Sequence, residues 1–226
     1  MLLKPANVND AGFSNGWLSS AIHAMELSQM LTQAMFTSES YMKQLPHCTS
    51  ALLERCNEKK VSTIFDLLDL EDDVRSELLQ MNAAQMADVA KFCNNYPSIE
   101  VEYKIDNEGA ITIGDTVSVT VEMERENHQN GMAPPVIAPL FPQKRKEEGW
   151  WLVIGDHSSN SLFSIKRLTI HQKAKMTLDF TAQNTGKMHY KLYFICDSYL
   201  GVDQEFDLKF RVEETGRSRK RPRDDD

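Results

Sequence analysis

The stretch EEGWWLVIGD, residues 147–156, decides the fold. In an extended strand, successive side chains point to opposite faces of the sheet. One face of this strand would carry a single apolar row: Trp150, Leu152 and Ile154. The opposite face would carry Trp151 and Val153, so the strand is apolar on both sides. We predict that the first row fills a core. The second row must then be covered by the helical part of the chain, by a loop that folds back, or by a partner.

After Pro97, apolar and polar residues alternate with a period of two. This pattern is typical of β-strands with one buried and one solvent-exposed face. Seven or eight such strands in about 115 residues predict an immunoglobulin-like β-sandwich over residues 98–214. The predicted strands are Ile99–Ile105, Val117–Met123, Val136–Leu140, Trp150–Ile154, Leu162–Leu168, Met176–Phe180, Tyr190–Phe194 and Phe206–Val212.

Before Pro97 the apolar spacing is helical. Ser14 or Asn15 is predicted to cap a helix from about Trp17 to Phe36. The apolar stripe of that helix is wider than one face, so the helix must be covered on more than one side. We therefore predict that this helix belongs to a helical bundle that begins upstream.

Several short helices joined by tight turns are predicted next, and they favour a helix-hairpin-helix domain over residues 46–97. Together with the bundle and the sandwich, this gives a multidomain α and β fold. The predicted helices run from Thr49 or Ser50 to Cys56, from Thr63 to Leu68, from Leu70 to Met81, and from Ala83 to Asn94 with Asn82 as the cap.

The composition of the 226-residue chain, 41% hydrophobic and 26% charged, is that of one or two globular domains. No apolar run reaches the roughly 18 residues of a membrane-spanning helix, and no secretory signal is recognisable, so we expect no membrane partner. The opening MLLKPANVND looks like the middle of a longer protein, so we expect a fragment. The four cysteines form no CxxC pair and indicate reduced thiols.

The charge is unevenly distributed along the chain, which has a net charge of −8. Residues 215–226 are predicted to form a disordered charged tail, and its five basic and three acidic residues leave the rest at about −10. An acidic body argues against broad binding to a phosphate backbone. The basic run favours nuclear import over an RNA contact or a solvated tail, and its residues are Arg217, Arg219, Lys220, Arg221 and Arg223.

No motif for catalysis or cofactor binding stands out, so we expect neither an enzyme nor a cofactor in this chain. Neither GxxxxGK[ST] nor GxGxxG is present. Asp156, His157 and Ser158 are consecutive, which does not let three groups converge as a catalytic triad does. His47 and Cys48 with Cys56 lack the paired spacing of a zinc site, so no metal is expected.

Two surfaces remain as candidate binding sites. Lys59 and Lys60 lie in the predicted hairpin turn and are the candidate RNA contact, although the turn lacks the glycines that let backbone amides approach a phosphate. A structural or protein-binding hairpin is therefore favoured. The candidate protein interface consists of Trp151, Val153, Lys144, Arg145 and Lys146.

Specific segments resemble the C-terminal end of the large spliceosomal DExH-box RNA helicases of the Brr type, which belong to the U5 small nuclear ribonucleoprotein. They include NGWLSSAIHAMELSQMLTQAMF, FDLLDLEDDVRSELLQM, VIAPLFPQKRKEEGWWLVIGDHSSNSLFSIKRLT and DQEFDLKFRV, within about residues 12–214. In that family each of two cassettes ends in a unit similar to the translocon protein Sec-sixty-three. The resemblance implies that this chain is the end of the second unit, with residues 1–45 as the end of its helical bundle.

The resemblance implies a nuclear, non-catalytic interaction and regulatory module of a helicase that unwinds small nuclear RNA duplexes. Its partners would be the upstream helicase cassettes of the same chain and other spliceosomal proteins. Two alternatives remain open: an accessory domain that guides the unwound RNA strand, and a domain of a translocon component.

Overall fold

The computed structural model describes residues 14–15, 17–106, 108–109, 111–127, 133–141 and 146–214. Helices come first along the chain and long strands follow. The helices are α1 (Leu18–Gln33), a 3-10 helix (Tyr41–Gln44), α2 (Ser50–Glu58), α3 (Ile64–Leu68), α4 (Asp72–Leu79) and α5 (Ala83–Asn95). The strands are β1 (Ser14–Asn15), β2 (Ile99–Ile105), β3 (Thr116–Arg125), β4 (Trp150–Asp156), β5 (Ser161–Leu168), β6 (Lys173–Thr181), β7 (Gly186–Cys196) and β8 (Gln204–Val212).

The strands form two antiparallel sheets, one with the order β1-β5-β4-β7-β8 and one with the order β2-β3-β6. β4 is the central strand of the larger sheet, and Trp150 pairs with Leu168 on one side and Cys196 on the other. Because both edges of β4 are paired, its two apolar faces are the surfaces that still need cover.

One face of β4 enters the main core, as predicted. Trp150, Leu152 and Ile154 have no exposed surface, and they join one cluster that also includes the inner residues of β3 and β6. The Trp150 ring stacks on Phe194 with 4.3 Å between the ring centroids. The same cluster extends into α2–α5, so the short helices and both sheets share a continuous core.

The other face of β4 is covered by α1. Val153 is fully buried in a second cluster with Leu18 and Met25 of the helix, and Trp151 packs at its edge. The helix approaches closely at Gly155, where an added Cβ would lie 2.6 Å from Leu18 Cδ1. Of the three covers considered from the sequence, the helical part of the chain is the one in the structure.

The N-terminus of α1 is stabilised from an unexpected place. The N-cap position of α1 is Trp17, and Ser14 and Asn15, the predicted caps, lie in the short strand β1 against β5. Instead, Asn160 in the β4–β5 turn accepts hydrogen bonds from Leu18 N through its carbonyl and from Ser19 N through Oδ1, at 3.3 and 2.8 Å. The backbone carbonyl and the side chain of one distant residue thus satisfy two amides that usually bond to a local cap.

The four short helices occur where the sequence predicts them, with ends that differ by a few residues. Asn82 caps α5 in a reciprocal pair with Gln85. Arg55 and Arg75 bind the carbonyls at the C-terminal ends of α4 and α3, respectively. These arginines satisfy backbone groups that the tight turns leave without helical partners.

The predicted strand Val136–Leu140 does not form. The described part of this segment is irregular, with one isolated bridge between Pro135 and Glu147. Prolines at positions 134, 135 and 139 cannot donate to a strand ladder, which outweighs the apolar character of the run. No helix among the described residues is long and apolar enough to cross a membrane.

Candidate interaction surface around Trp151

Trp151 forms a platform on the outer side of the larger sheet, beside α1. It pairs with Arg167 in the β4–β5 register, and the Arg167 guanidinium carbon lies 5.2 Å from the centre of the Trp151 ring. This distance is within the range of a cation–π interaction. The ring is half-buried, so its inner side packs on the helix while the arginine occupies part of its outer side.

Asp197 anchors this arginine. Its Oδ2 lies 2.7 Å from Arg167 Nη2, and its Oδ1 accepts a hydrogen bond from Gly149 N at 2.9 Å. The Asp197 side chain is 5% exposed, whereas the Arg167 side chain is 57% exposed. A buried carboxylate thus fixes one edge of a guanidinium whose remainder faces solvent.

Lys146 adds a second cation beside Asp197. Its Nζ lies 3.7 Å from Asp197 Oδ1 and donates hydrogen bonds to Asp197 O and to Thr32 Oγ1 of α1, at 3.2 and 2.8 Å. Lys146 therefore connects the loop before β4, the end of β7 and the helix.

An open cavity of about 530 Å³ lies next to the platform, between the start of β4 and the end of β5. Gly149 is essential to its shape, because a Cβ there would lie 2.6 Å from Asp197 Oδ2 and 2.9 Å from Arg167 Nη2. The cavity is lined by Glu147, Glu148, Gly149, Arg167, Leu168 and Thr169.

A buried ion pair includes Glu148 of the cavity lining. Arg125 and Glu148 are in direct contact, and neither side chain has appreciable exposure. Trp150 Nε1 donates to Glu148 Oε1 at 3.0 Å, and Arg125 Nη2 donates to Ile170 O at 3.1 Å. The alternation of β3 places Arg125 in line with the inward residues Val121 and Met123, so the sequence did carry a signal for this buried cation.

The structure brings together only some of the residues of the predicted interface. Trp151 and Lys146 lie on the two sides of the Arg167–Asp197 pair. Val153 has no exposed surface and contacts α1, so its predicted role on an open interface is corrected to an intramolecular one. Lys144 and Arg145 lie outside the described residues. The sequence did not identify Arg167 and Asp197, because only the pairing register of the strands brings these two residues together.

Three buried glutamines hold the helical part against the sheets. Gln29 and Gln33 of α1 donate to Cys196 O and Ser198 O, at 2.8 and 2.9 Å. Gln44 donates to Leu200 O at 3.0 Å. These alternate carbonyls follow the extended turn between β7 and β8, so the helical part binds the turn much as a neighbouring strand would.

A buried carboxylate lies in the same joint. Asp203 accepts hydrogen bonds from Gln29 Nε2 and from Cys196 N. Burial raises the pKa of Asp203 to about 6, and the nearby Glu26 adds to this effect.

The outer face of α1 is apolar and exposed. Leu27 and Leu31 are 49% and 66% exposed, although they lie opposite the face that covers β4. No Asp, Glu, Lys or Arg occurs among the exposed positions of the helix and its C-cap, which are Ser20, His23, Ala24, Leu27, Leu31 and Ala34. A solvated helix face is normally polar, so this face has the character of a contact surface.

The hairpin turn between α2 and α3 offers little to a nucleic acid. Lys59 pairs with Glu77 at 3.7 Å, and Lys60 adopts a left-handed backbone with φ 58°. The amides of Ser62 and Thr63 both donate to Asp66 Oδ2 at 2.8 Å. These hydrogen bonds hold the pKa of Asp66 below its usual value. The chain's own carboxylate thus takes the position that a phosphate would need.

The residues considered for catalysis and metal binding serve the fold. Asp156 accepts hydrogen bonds from Ser158 and Ser159 and shapes the β4–β5 turn. His47 pairs with Asp88 at 2.8 Å rather than with a cysteine. No group of three or more potential metal ligands is found within the described ranges. The predicted import residues, from Arg217 to Arg223, lie outside them.

Comparison with known proteins gives a consistent result. The family described as the Sec63 Brl domain matches residues 7–209. The U5 small nuclear ribonucleoprotein 200 kDa helicase of Caenorhabditis elegans is 61% identical over 208 residues, which is 92% of this chain and 10% of that protein. The Homo sapiens helicase of the same description is 56% identical over 89% of this chain and 9% of its own length. The Schizosaccharomyces pombe pre-mRNA-splicing factor brr2 is 38% identical over 88% of this chain and 9% of its own length.

Proposed function

The chain belongs to the Sec63 Brl domain family, and from this membership we propose that it is a non-catalytic interaction and regulatory module of a spliceosomal RNA helicase. The observation that carries the proposal is the similarity to U5 helicases and to a pre-mRNA-splicing factor along almost the whole chain. The chain spans about a tenth of the length of these relatives. In this proposal the helicase unwinds small nuclear RNA duplexes in the nucleus, and its motor lies elsewhere in the polypeptide.

The proposed module has three parts and a tail. Residues 1–45 are the end of a helical bundle, 46–97 a helix-hairpin-helix-like domain, 98–214 an immunoglobulin-like β-sandwich, and 215–226 a charged tail that directs nuclear import. The capped short helices and the two antiparallel sheets support this division. The core shared by the helices and sheets supports a module that acts as one unit.

We assign two contact surfaces to the module. The outer face of α1 docks on further helices of the same polypeptide, because an exposed face with two leucines and no Asp, Glu, Lys or Arg suits a helical neighbour. The second surface consists of Trp151, Arg167 and Lys146, and we assign it to other spliceosomal proteins because the Arg167 side chain is 57% exposed.

A non-catalytic role is supported by how the candidate polar groups are used. Asp156 and its serine neighbours satisfy one another within a turn. The sequence carries neither of the glycine-rich phosphate-binding patterns that motors use to hold a nucleotide. The proposal therefore needs no cofactor in this chain.

The proposal is tested by retention of named spliceosomal proteins from nuclear extract. The tagged chain is incubated with extract treated with nuclease, and bound proteins are identified by mass spectrometry. We expect proteins of the U5 particle to remain bound without RNA, and Trp151→Ala to reduce their recovery. Recovery that depends on intact RNA, or an absence of splicing proteins, would overturn the proposal.

The second candidate function is an accessory contact for the unwound RNA strand, through Lys59, Lys60 and the tail. The occupied amides beside Asp66 weigh against it. Binding of a labelled 20-nucleotide oligouridylate, measured at several salt concentrations, distinguishes the two. A phosphate-driven complex would weaken steeply with salt and would be further weakened in the Lys59→Ala/Lys60→Ala variant. The translocon alternative ranks last, because the similar proteins are splicing helicases.

A further inference from the structure

Arg167 is exposed and yet held in one place. The Trp151 ring lies under its guanidinium, and Asp197 binds one of its edges at 2.7 Å. An exposed arginine ordinarily loses much rotamer freedom when it binds a partner, and a preorganised one loses less. Arginine and tryptophan are also the residue types enriched at the points that dominate binding energies.

The formal charges around Arg167 balance, with Arg167 and Lys146 on one side and Asp197 and Glu147 on the other. Asp197 is the single carboxylate shared by Arg167 and Lys146, and it already accepts hydrogen bonds from Gly149 N and the Ser198 hydroxyl. Glu148, on the cavity wall, is engaged by Arg125. The attraction for an anion is therefore confined to the outward edge of the Arg167 guanidinium, whose side chain is 57% exposed. An anion can approach the outward part of the guanidinium without competing for Asp197.

We infer that Arg167, held over Trp151, recognises a single carboxylate in a segment of a partner protein. The inference rests on the proposed function and specifies the chemistry of the partner. A guanidinium matches a carboxylate through two parallel hydrogen bonds, which gives direction as well as charge.

The geometry favours a protein over a nucleic acid. Glu147 lines the same cavity, and a polyanion that follows the surface would meet its negative charge. Arg167 also covers part of the Trp151 ring, so a base cannot stack there without displacing it. A single carboxylate flanked by apolar residues avoids both obstacles.

Gly149 provides a way to disturb the platform without changing any charge. Because a Cβ would lie within 3 Å of both Asp197 Oδ2 and Arg167 Nη2, Gly149→Ala must move the ion pair. Gly149→Ala therefore shifts the guanidinium without removing it, and it shows whether the position of the guanidinium matters for binding. Arg167→Lys makes the complementary change, since it keeps the charge and removes the planar fork.

The test is a titration of the whole chain with peptides of defined chemistry. The probe is a capped hexapeptide with one glutamate among leucine and serine residues, and the comparison peptide replaces that glutamate with glutamine. Binding is followed by the NMR signal of the Trp151 indole N–H and by fluorescence polarisation. We expect the acidic peptide to bind at least about tenfold more tightly than the neutral one, and Arg167→Ala to remove this difference. Gly149→Ala and Arg167→Lys should each weaken binding severalfold.

Arg211→Ala is the matched control, because Arg211 is an exposed arginine on β8 of the same sheet. It should bind like the unchanged chain, and thermal unfolding of each variant should confirm that the fold is intact. Equal affinity for both peptides, or equal affinity of the Arg167→Ala and Arg211→Ala variants, would overturn the inference. Arg167-dependent binding of hexauridylate in preference to the peptide would also overturn it and identify a nucleic-acid surface.

The peptide titration tests this inference, and the retention of U5 proteins tests the proposed function separately. If U5 proteins are still retained by the Arg167→Ala chain and the peptides do not discriminate, the module stands and this recognition point is wrong. If the peptides discriminate but no splicing protein is retained, the recognition chemistry stands and the proposed spliceosomal role is wrong.

Discussion

Gln44 and Leu200 form a two-way hydrogen-bonded pair. Gln44 Nε2 donates to Leu200 O at 3.0 Å, and Gln44 Oε1 accepts from Leu200 N at 2.9 Å. The glutamine thus reproduces the pairing of a strand residue for a buried turn that has no strand beside it. Tyr96 adds a third bond, from its hydroxyl to Leu200 O at 2.6 Å. The 3-10 helix, α5 and the β7–β8 turn are joined at this single residue.

The first prediction concerns this joint. Gln44→Ala leaves the Leu200 amide buried without its partner, so we expect the free energy of unfolding to fall by about 2–3 kcal/mol. Urea denaturation followed by circular dichroism measures the change. Gln183→Ala, at an exposed position in the β6–β7 turn, is the control and should change stability by less than about 0.5 kcal/mol. An equal effect of the two substitutions would show that the pair contributes nothing.

The two adjacent tryptophans should respond differently to truncation. Trp150 is fully buried, stacks on Phe194 and donates to Glu148, so Trp150→Ala should cost about 3–5 kcal/mol of stability. Trp151 is half-buried and contacts Arg167, so Trp151→Ala should cost about 1–2 kcal/mol and retain the fold. Denaturation curves and recovery of U5 proteins are measured for both variants. If both merely unfold the chain, Trp151 is a core residue and its interface role is wrong.

Asp203 predicts a specific pH dependence of stability. Its pKa is about 6 in the folded chain against an ordinary value of 3.8, so the folded state binds this proton more tightly than the unfolded state. The corresponding stabilisation is complete below about pH 3.8 and is lost as the pH rises through about 6. Asp203→Asn removes this pH-dependent stabilisation. Between pH 4 and pH 7, the unchanged chain should lose about 2 kcal/mol relative to the variant.

The measurement is urea denaturation of both proteins at several pH values. Asp69→Asn, at an exposed turn position, is the control for removal of a carboxylate in general. A constant difference in unfolding free energy between the unchanged chain and Asp203→Asn across this pH range would contradict the assignment of the raised pKa.

The sequence predicted the elements that depend on local periodicity. Seven of the eight predicted strands in the second half are present, because a strand with one buried face must alternate. The failure at Val136–Leu140 arises where three prolines remove ladder donors, a rule that overrides apolar character. The inward position of Trp150 followed from the same alternation.

Long-range polar contacts could not be read in the same way. Asn160 caps a helix 141 residues away, and Gln29 binds a carbonyl 167 residues away. Polar side chains on an apolar helix are compatible with many partners until the topology is known. The Arg167–Asp197 pair depends on the register of β4 with both β5 and β7, which no local pattern specifies. The sequence therefore identified only two of the four residues of the candidate site, Trp151 and Lys146.

The exposed face of α1 tests the central claim most directly, because a docking module must dock. The chain is co-expressed with the Caenorhabditis elegans U5 helicase from which the 208 matching residues have been removed, and association is measured by co-purification. The variants are Leu27→Gln/Leu31→Gln on α1 and, as an equally exposed control, Leu140→Gln/Phe141→Gln. The account predicts that the unchanged chain and the control co-purify and that the α1 variant is lost while still folding. Equal recovery of all three, or no association of the unchanged chain, would contradict it.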